Sequence, residues 1–343
     1  MGISKLRLVG AVIATLLVLT ACGSSPGTTT KTIKIGLVTD TGGLNDKSFN
    51  HLADVGLEKA KTELHIQGDV VESHSGGDYV PNLTHFASLN YDLVIGVGFL
   101  MAEAVGTVSG TFPNIHFAII DGSGTDAKGN DLKHTNVQSL FFKEQDAGAM
   151  VGVIAGMLEK DSKAPKNNHV ISAVGGISIP PVNHYIAGYK WAAEMEDPGI
   201  KVLVGYSNDF VDPAKCQQVA KAQISAHSEV VFQVAGGCGL GALDAAKTKS
   251  VWGIGVDADQ GFLGPHILTS ALKGVDEAVF LSIKDAKEGH FKGGQDAVYG
   301  LEQKGVGLGK FSPKAPKGIE AKVKQIEQQI IDGKIANIPT TVK

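Results

Sequence analysis

Two glycine-containing turns carry residue types and spacings that suit ligand chemistry. The first, TDTGGLNDKSFN (Thr39–Asn50), follows the apolar run KIGLV and leads into an amphipathic stretch. Glycines between a strand and a helix often cradle phosphate against helix-end amides. Asp40 and Asp46 stand in the same turn, however, and two carboxylates repel a dianion, so this turn favours a neutral, polar ligand. The second turn, Gly237-Cys238-Gly239-Leu240-Gly241-Ala242, fits G-x-G-x-x-A, with Asp257 twenty residues beyond Gly237. That is the spacing of a dinucleotide fingerprint and would make the chain an NAD(P)-linked enzyme.

Four further side chains sit where a ligand would be met. Phe49 opens the amphipathic stretch after the first turn, and Phe210 lies in the loop NDFVDPAK. Each has a plainer reading as a staple residue tucked under its own helix. Together, one per lobe, they read as two rings closing on a flat ligand, where stacking contributes about 1–3 kcal/mol per ring. Asp257 ends the run GIGVD and Lys273 follows ILTSAL. As a surface ion pair they would be worth at most about 1 kcal/mol. In a cleft, a carboxylate accepting from vicinal hydroxyls and an ammonium donating to a third suit a ribose.

The elements that must position these residues alternate regularly. Runs at 34–40, 69–75, 91–98, 115–121 and 135–142 read as strands, with helical periodicity between the first four. After EQDAGAMVGVIAGMLEK the pattern restarts with strands at 169–176, 201–207, 230–237 and 251–257. It continues through ILTSAL, the helix VDEAVFLSIKDAKEGH, the strand AVYGL and a last helix near 317–332. Such alternation predicts an α/β fold of stacked βαβ units around parallel sheets. Two arrays of similar length predict two Rossmann-like lobes whose strand ends face one cleft. The expected division is 33–142 with 272–293 for the N-terminal lobe, and 143–271 with 294–343 for the C-terminal lobe, joined by a hinge.

The first 21 residues differ from the rest. Lys5 and Arg7 precede the apolar run LVGAVIATLLVLT, too short and too early for a stable membrane span, which reads as an export signal. It ends in Leu19-Thr20-Ala21-Cys22, resembling the lipobox of bacterial lipoproteins, and residues 22–32 read as a polar tether. Lipidation of Cys22 would hold the folded part at the extracytoplasmic face of the cell membrane. Outside the cell no reduced nicotinamide pool is expected, and the G-x-G-x-x-A run lies in the middle of the second array rather than opening the first. Both points weigh against the dinucleotide reading.

With Lys5 and Arg7 removed, 29 of the 31 basic residues face 35 acidic ones, a formal charge of −6. A nucleic-acid footprint is thereby disfavoured. Cys216 and Cys238 are the other cysteines; in an exported chain they either pair or serve as two small buried thiols. There is no G-x-S-x-G, C-x-x-C, H-E-x-x-H or P-loop motif, and the eleven histidines show no ligand spacing. No metal, no cofactor and no enzymatic activity are expected.

The segment KIGLVTDTGGLNDKSFNHLADVGL, and in order NVQSLFFKEQDAGAMVGVIAG, AVGGISIPPVNHYIAGYKWAAE, VGYSNDFVDPAKC, VVFQVAGGCGLGALDAA, GIGVDADQ and ILTSALKGVDEAV, resemble the basic membrane protein family. These are substrate-binding lipoproteins of ABC transporters and include purine nucleoside receptors. The resemblance implies a type I periplasmic-binding-protein fold acting as a monomer, with a nucleoside, purine favoured, in the cleft and a permease and ATPase as partners. It places Phe49 and Phe210 on either side of the base. Asp46, Ser48, Asn50 and Glu144 would sit at its polar edges, with Asp146 as the alternative to Glu144. Gly237, Asp257 and Lys273 would take the ribose. The chain departs from the family at Cys238, often a threonine, and near Tyr185, often a phenylalanine. Readings kept beside this one are a receptor for another sugar-like solute, the NAD(P)-linked enzyme, and a sensory or adhesive lipoprotein.

Overall fold

The computed structural model describes residues 1–2, 32–161 and 163–343. The expected signal, Cys22 and the tether up to residue 31 lie outside the described residues. From Thr32 onward the chain forms one contact unit built on two six-stranded sheets. In the first half, β1 (Lys34–Val38), α1 (Phe49–Leu64), β2 (Gln67–Val71), α2 (Tyr79–Ser88), β3 (Leu93–Val97), α3 (Ala102–Thr111), β4 (His116–Ile120) and β5 (Val137–Phe142) follow in order. The second half runs α4 (Glu144–Lys160), β6 (Val170–Gly175), α5 (Pro180–Glu196), β7 (Lys201–Tyr206), α6 (Pro213–Ser225), β8 (Val230–Val234), α7 (Gly236–Lys249), β9 (Trp252–Asp257) and β10 (Ile267–Lys273). The chain then returns through α8 (Val275–Lys287) and β11 (Asp296–Tyr299) and ends with β12 (Val306–Leu308) and α9 (Ile319–Ile331).

The sheets share one strand order, β2-β1-β3-β4-β5-β11 in the first and β7-β6-β8-β9-β10-β12 in the second. Every pairing is parallel except β10 with β12. Parallel strands covered by helices on both faces are apolar along their length, and β3 and β8 are buried at every position. The repeated order makes β4 and β9 equivalent, so the residues that follow or end them, Asp121 and Asp257, occupy the same place in their lobes.

One expectation about the lobes needs correction. The sequence reading puts 294–343 in the second lobe, yet β11 extends the first sheet, pairing Asp296–Tyr299 with Ser139–Phe142. Only beyond Gly300 does the chain pass to the second sheet. The three crossings, at Lys143, Gly274 and Gly300–Gly305, are tied side by side. Lys143 N donates to Tyr299 O (3.0 Å) and Gly274 N to Gly305 O (2.8 Å). Strand β12, three residues with a central glycine, is too short to read from periodicity.

Helices α4 and α5 pack backbone to backbone. A Cβ added at Gly148 or Gly152 would lie 2.2 Å from the carbonyl oxygens of Tyr185 or Tyr189, and one at Gly188 would lie 2.2 Å from that of Gln145. Among the described residues no helix is long and apolar enough to cross a membrane. Overpacking a seam of backbone atoms typically costs about 1–3 kcal/mol. Gly152→Ala should lower the urea midpoint accordingly, whereas Gly307→Ala, with nothing within 4 Å of the new carbon, should leave it within about 0.5 kcal/mol. Equal midpoints for both variants would refute the seam.

Candidate functional site

The turn after β1 is built around two carboxylates with different tasks. Asp46 accepts from the backbone N–H groups of Ser48 (2.9 Å), Asn50 (2.8 Å) and His51 (3.1 Å), and from Asn50 Nδ2 (3.1 Å). It therefore caps α1 with both oxygens, satisfying donors that the helix itself leaves free. Asn50 in turn donates to Asp40 Oδ1 (2.7 Å), and Asn50 Oδ1 accepts from Asp40 N (3.1 Å). This chain of bonds fixes the turn and presents Phe49, half-buried, toward the space between the lobes.

From the second lobe, α6 and α7 hold Phe210. Its carbonyl accepts from Cys238 N (3.0 Å), and Cys238 is bridged to Cys216, with Cα atoms 5.5 Å apart. The bridge joins the first turns of α6 and α7 on either side of the loop bearing the ring. The Gly237–Ala242 run spends its glycines on packing. A Cβ at Gly239 would meet Gln233 Oε1 at 1.8 Å, and one at Gly241 would meet Pro213 O at 1.8 Å. Gly236, in the left-handed region at φ 53°, opens α7 and lines the cavity.

Phe49 and Phe210 line one cavity, with Ile179, Val182, Val234 and Val256 as apolar wall. Asp40, Asp46, Asn50, Asp121, Tyr185, Asp257 and Lys273 add its polar groups. Of the residues expected at the ligand, Phe49, Asn50, Phe210, Asp46, Asp257 and Lys273 are thus brought together. Ser48 is not on the wall: its hydroxyl donates to Asp257 Oδ2 (2.8 Å) and contacts Val256 O (3.2 Å), bridging the lobes. Gln260 Nε2 reaches Lys47 O (3.4 Å) as a second bridge. Gly237 is not on the wall either: a Cβ there would lie 3.4 Å from Phe210 O and 3.6 Å from Asp46 Cα. Glu144 lies behind Lys273, and Asp146 lines a different hollow.

Lys273 is 3% exposed and organises the charges. Its Nζ lies 2.6 Å from Asp121 Oδ2 and 2.9 Å from Glu144 Oε1, over the faces of Phe49 (5.1 Å) and Phe142 (4.9 Å). Cations favour such ring faces. One ammonium cannot fully compensate several buried carboxylates. Burial pushes the Asp121 carboxyl up to about 7 and that of Asp257 up to about 6, against the pull of Lys273. Asp40 is likewise raised to about 6 by burial. Glu144 is the exception: burial is overcome by Lys273 and by His184, whose Nδ1 lies 3.0 Å from Oε2, so its carboxyl sits below the usual range. The opposing charges in turn hold the Lys273 ammonium well above its ordinary value.

Asp121 Oδ1 is buried with no hydrogen-bond partner, in a wall where nearly every polar atom is satisfied. Asp121 and Asp257 both adopt left-handed backbone (φ 63° and 59°), uncommon outside glycine but tolerated by aspartate. Asp40 enters the sequence reading only as a carboxylate of its turn, and Tyr185 only as a departure from the family. The signal that finds Asp121 is the repeat itself: FAIID and GIGVD end equivalent strands. Tyr185 donates its hydroxyl to Asp257 Oδ1 (3.3 Å). Among the described residues no group of His, Cys, Asp and Glu is disposed to hold a metal ion.

The family model described as "ABC transporter substrate-binding protein PnrA-like" matches residues 33–340. A CD4+ T-cell-stimulating antigen of Listeria monocytogenes is 34% identical, covering 94% of this chain and 95% of the relative. The ABC transporter nucleoside-binding protein BmpA of Lactococcus lactis subsp. cremoris is 32% identical over the same shares. A crystal structure of an ABC transporter system solute-binding protein from Aeropyrum pernix K1 superposes with a TM-score of 0.79 at 27% identity, covering 90% of this chain and 94% of that one. The family and these structural neighbours are solute-binding proteins, not enzymes.

Two outcomes follow from the site. Unfolded aspartates release their protons near 3.8, whereas folded Asp40, Asp257 and Asp121 hold theirs until pH 6–7. Their contribution to stability is full below the unfolded value and lost as pH rises through 6–7. Glu144 acts oppositely, losing its contribution only as pH falls below 4.5. The ligand-free melting midpoint should therefore fall between about pH 5 and about pH 8, less steeply in Asp121→Asn; a rising midpoint would contradict the charge assignment. Replacing both Cys216 and Cys238 by serine should cost about 2–4 kcal/mol in chemical denaturation, and an unchanged midpoint would show that the bridge contributes nothing.

Proposed function

The chain belongs to the PnrA-like family of ABC transporter substrate-binding proteins, and we propose that its cleft holds a nucleoside, purine favoured. As a substrate-binding protein of this class it binds a small molecule and works with permease and ATPase subunits. The observation that carries the nucleoside reading is the pair of half-buried rings, Phe49 from one lobe and Phe210 from the other, on one cavity in which four of the seven polar side chains are carboxylates.

A flat base takes the space between the rings. Asp40 at the turn after β1 supplies an acceptor for its edge, held in place by Asn50, whose amide donates to Asp40 and Asp46. Asp121, with a buried oxygen lacking a partner, together with Asp257 and Lys273, supplies the acceptors and the donor that vicinal ribose hydroxyls need. Charge-assisted hydrogen bonds of this kind contribute about 1.5–3 kcal/mol each. Two stacking contacts and a few such bonds exceed the roughly 8 kcal/mol of micromolar affinity before the entropy of association is subtracted. Asp46, Ser48 and Glu144 act on the ligand through Asn50, Asp257 and Lys273 respectively. The purine preference rests on the family resemblance and on the wider ring overlap that a bicyclic base gives.

The bridges from Ser48 to Asp257 and from Gln260 to Lys47 belong to the closed form, and hinge opening would break them to release the ligand. Lipid on Cys22 keeps the receptor at the extracytoplasmic face of the membrane, beside its permease.

Calorimetry tests the reading. Inosine, adenosine or guanosine should bind, and Phe210→Ala or Phe49→Ala should weaken binding by about 1–3 kcal/mol each. The matching nucleoside monophosphates should bind at least about a hundredfold more weakly because the buried carboxylates repel phosphate. NAD should give no heat. Absence of nucleoside binding, or equal affinity for the monophosphate, would overturn the proposal.

A further inference from the structure

A second hollow lies on the other side of the hinge, where the start of α4, the end of β11, α9 and the terminal segment meet. Its lining combines charged and aliphatic residues. Asp146, in the first turn of α4, is 7% exposed and lines the hollow, and its carboxylate has no hydrogen-bond or ion-pair partner among the described residues. Lys143, exposed at the crossing just before α4, also lines it, and its ammonium makes no ion pair or hydrogen bond among the described residues. The two charges sense each other, since Lys143 lowers the Asp146 carboxyl while burial raises it, to about 6 on balance. They are not in contact. Leu301, Ile330 and Ile338 add aliphatic lining, and Glu302, Gln303 and Asn337 add polar lining.

A buried carboxylate without a partner is costly, and native structures usually satisfy such a group with a protein atom, a water or a ligand. An anion and a cation that do not pair with each other, in one hollow with aliphatic lining, fit a molecule that carries both charges on one carbon beside an apolar body. We propose that this hollow binds a small aliphatic zwitterion of the α-amino acid class, its ammonium on Asp146, its carboxylate on Lys143 and its side chain against Leu301, Ile330 and Ile338. Glu144, two residues before Asp146 on the same helical turn, faces the opposite way into the Lys273 cluster. The two sites therefore stand back to back across the first turn of α4.

Titration calorimetry of the full chain with L-leucine tests the assignment, with 3-methylbutylamine and 4-methylpentanoate as probes lacking one charge each. Leucine should bind saturably, and each single-charge probe at least about tenfold more weakly. Asp146→Asn and, independently, the exposed-site variant Lys143→Gln should each weaken leucine at least about tenfold while keeping a cooperative melting transition. Inosine should not displace leucine. No saturable leucine heat up to about 10 mM, unchanged affinity in the variants that stay folded, equal binding of the amine alone, or displacement by inosine would each overturn the proposal.

Discussion

One ammonium buried among carboxylates governs this molecule. Lys273 ends β10 at a crossing between lobes, and its neighbours come from three elements: Asp121 from the end of β4, Glu144 from the start of α4 and Asp257 from the end of β9. An isolated ammonium at this depth would be prohibitive. Here it exists because the acids around it outnumber it, and those acids exist because it is there. The balance remains negative, which favours hydroxyl and amide donors over phosphate and sets the cleft apart from the nucleotide sites that glycine turns of this shape more often make.

The lobes repeat one design, and the repeat explains where the chemistry sits. Ligands of parallel α/β sheets lie beyond the carboxyl ends of the strands. Two lobes with equal strand order turn those ends toward each other, which brings Asp121 face to face with the Asp257 region. Each of these aspartates holds a left-handed backbone conformation at its strand end. Local strain of this kind persists where surrounding structure over-determines it, here through Lys273, Ser48 and Tyr185. Close backbone packing at Gly148, Gly152 and Gly188 then locks the helices that carry Glu144 and Tyr185 against each other.

Much of this was legible in the residues alone, because alternation of short apolar runs with amphipathic helices is a local signal. The two arrays, and Phe49 and Phe210 at ligand-facing turns, follow from it. What was not legible depends on contacts made across the chain. Asp46 reads as a ligand contact because it is an acid in a glycine turn; only the folded helix start shows that its oxygens cap α1. Glu144 and Asp146 are two residues apart, and no local pattern says which faces the cleft. The lobe to which β11 belongs is decided by its pairing with β5, which a four-residue strand does not announce. The bridge between Cys216 and Cys238 needed a distance, and sequence separation does not supply one.

The three crossings, finally, are not independent strings. The hydrogen bonds from Lys143 to Tyr299 and from Gly274 to Gly305 lay them edge to edge as a narrow ribbon. A ribbon flexes readily about the line across its width and resists torsion about its length, since torsion would shear those bonds. The halves can swing apart like covers on a spine, yet they return in the same alignment. The rings of Phe49 and Phe210 therefore meet at the same angle whenever the halves close, with no search for register on every cycle.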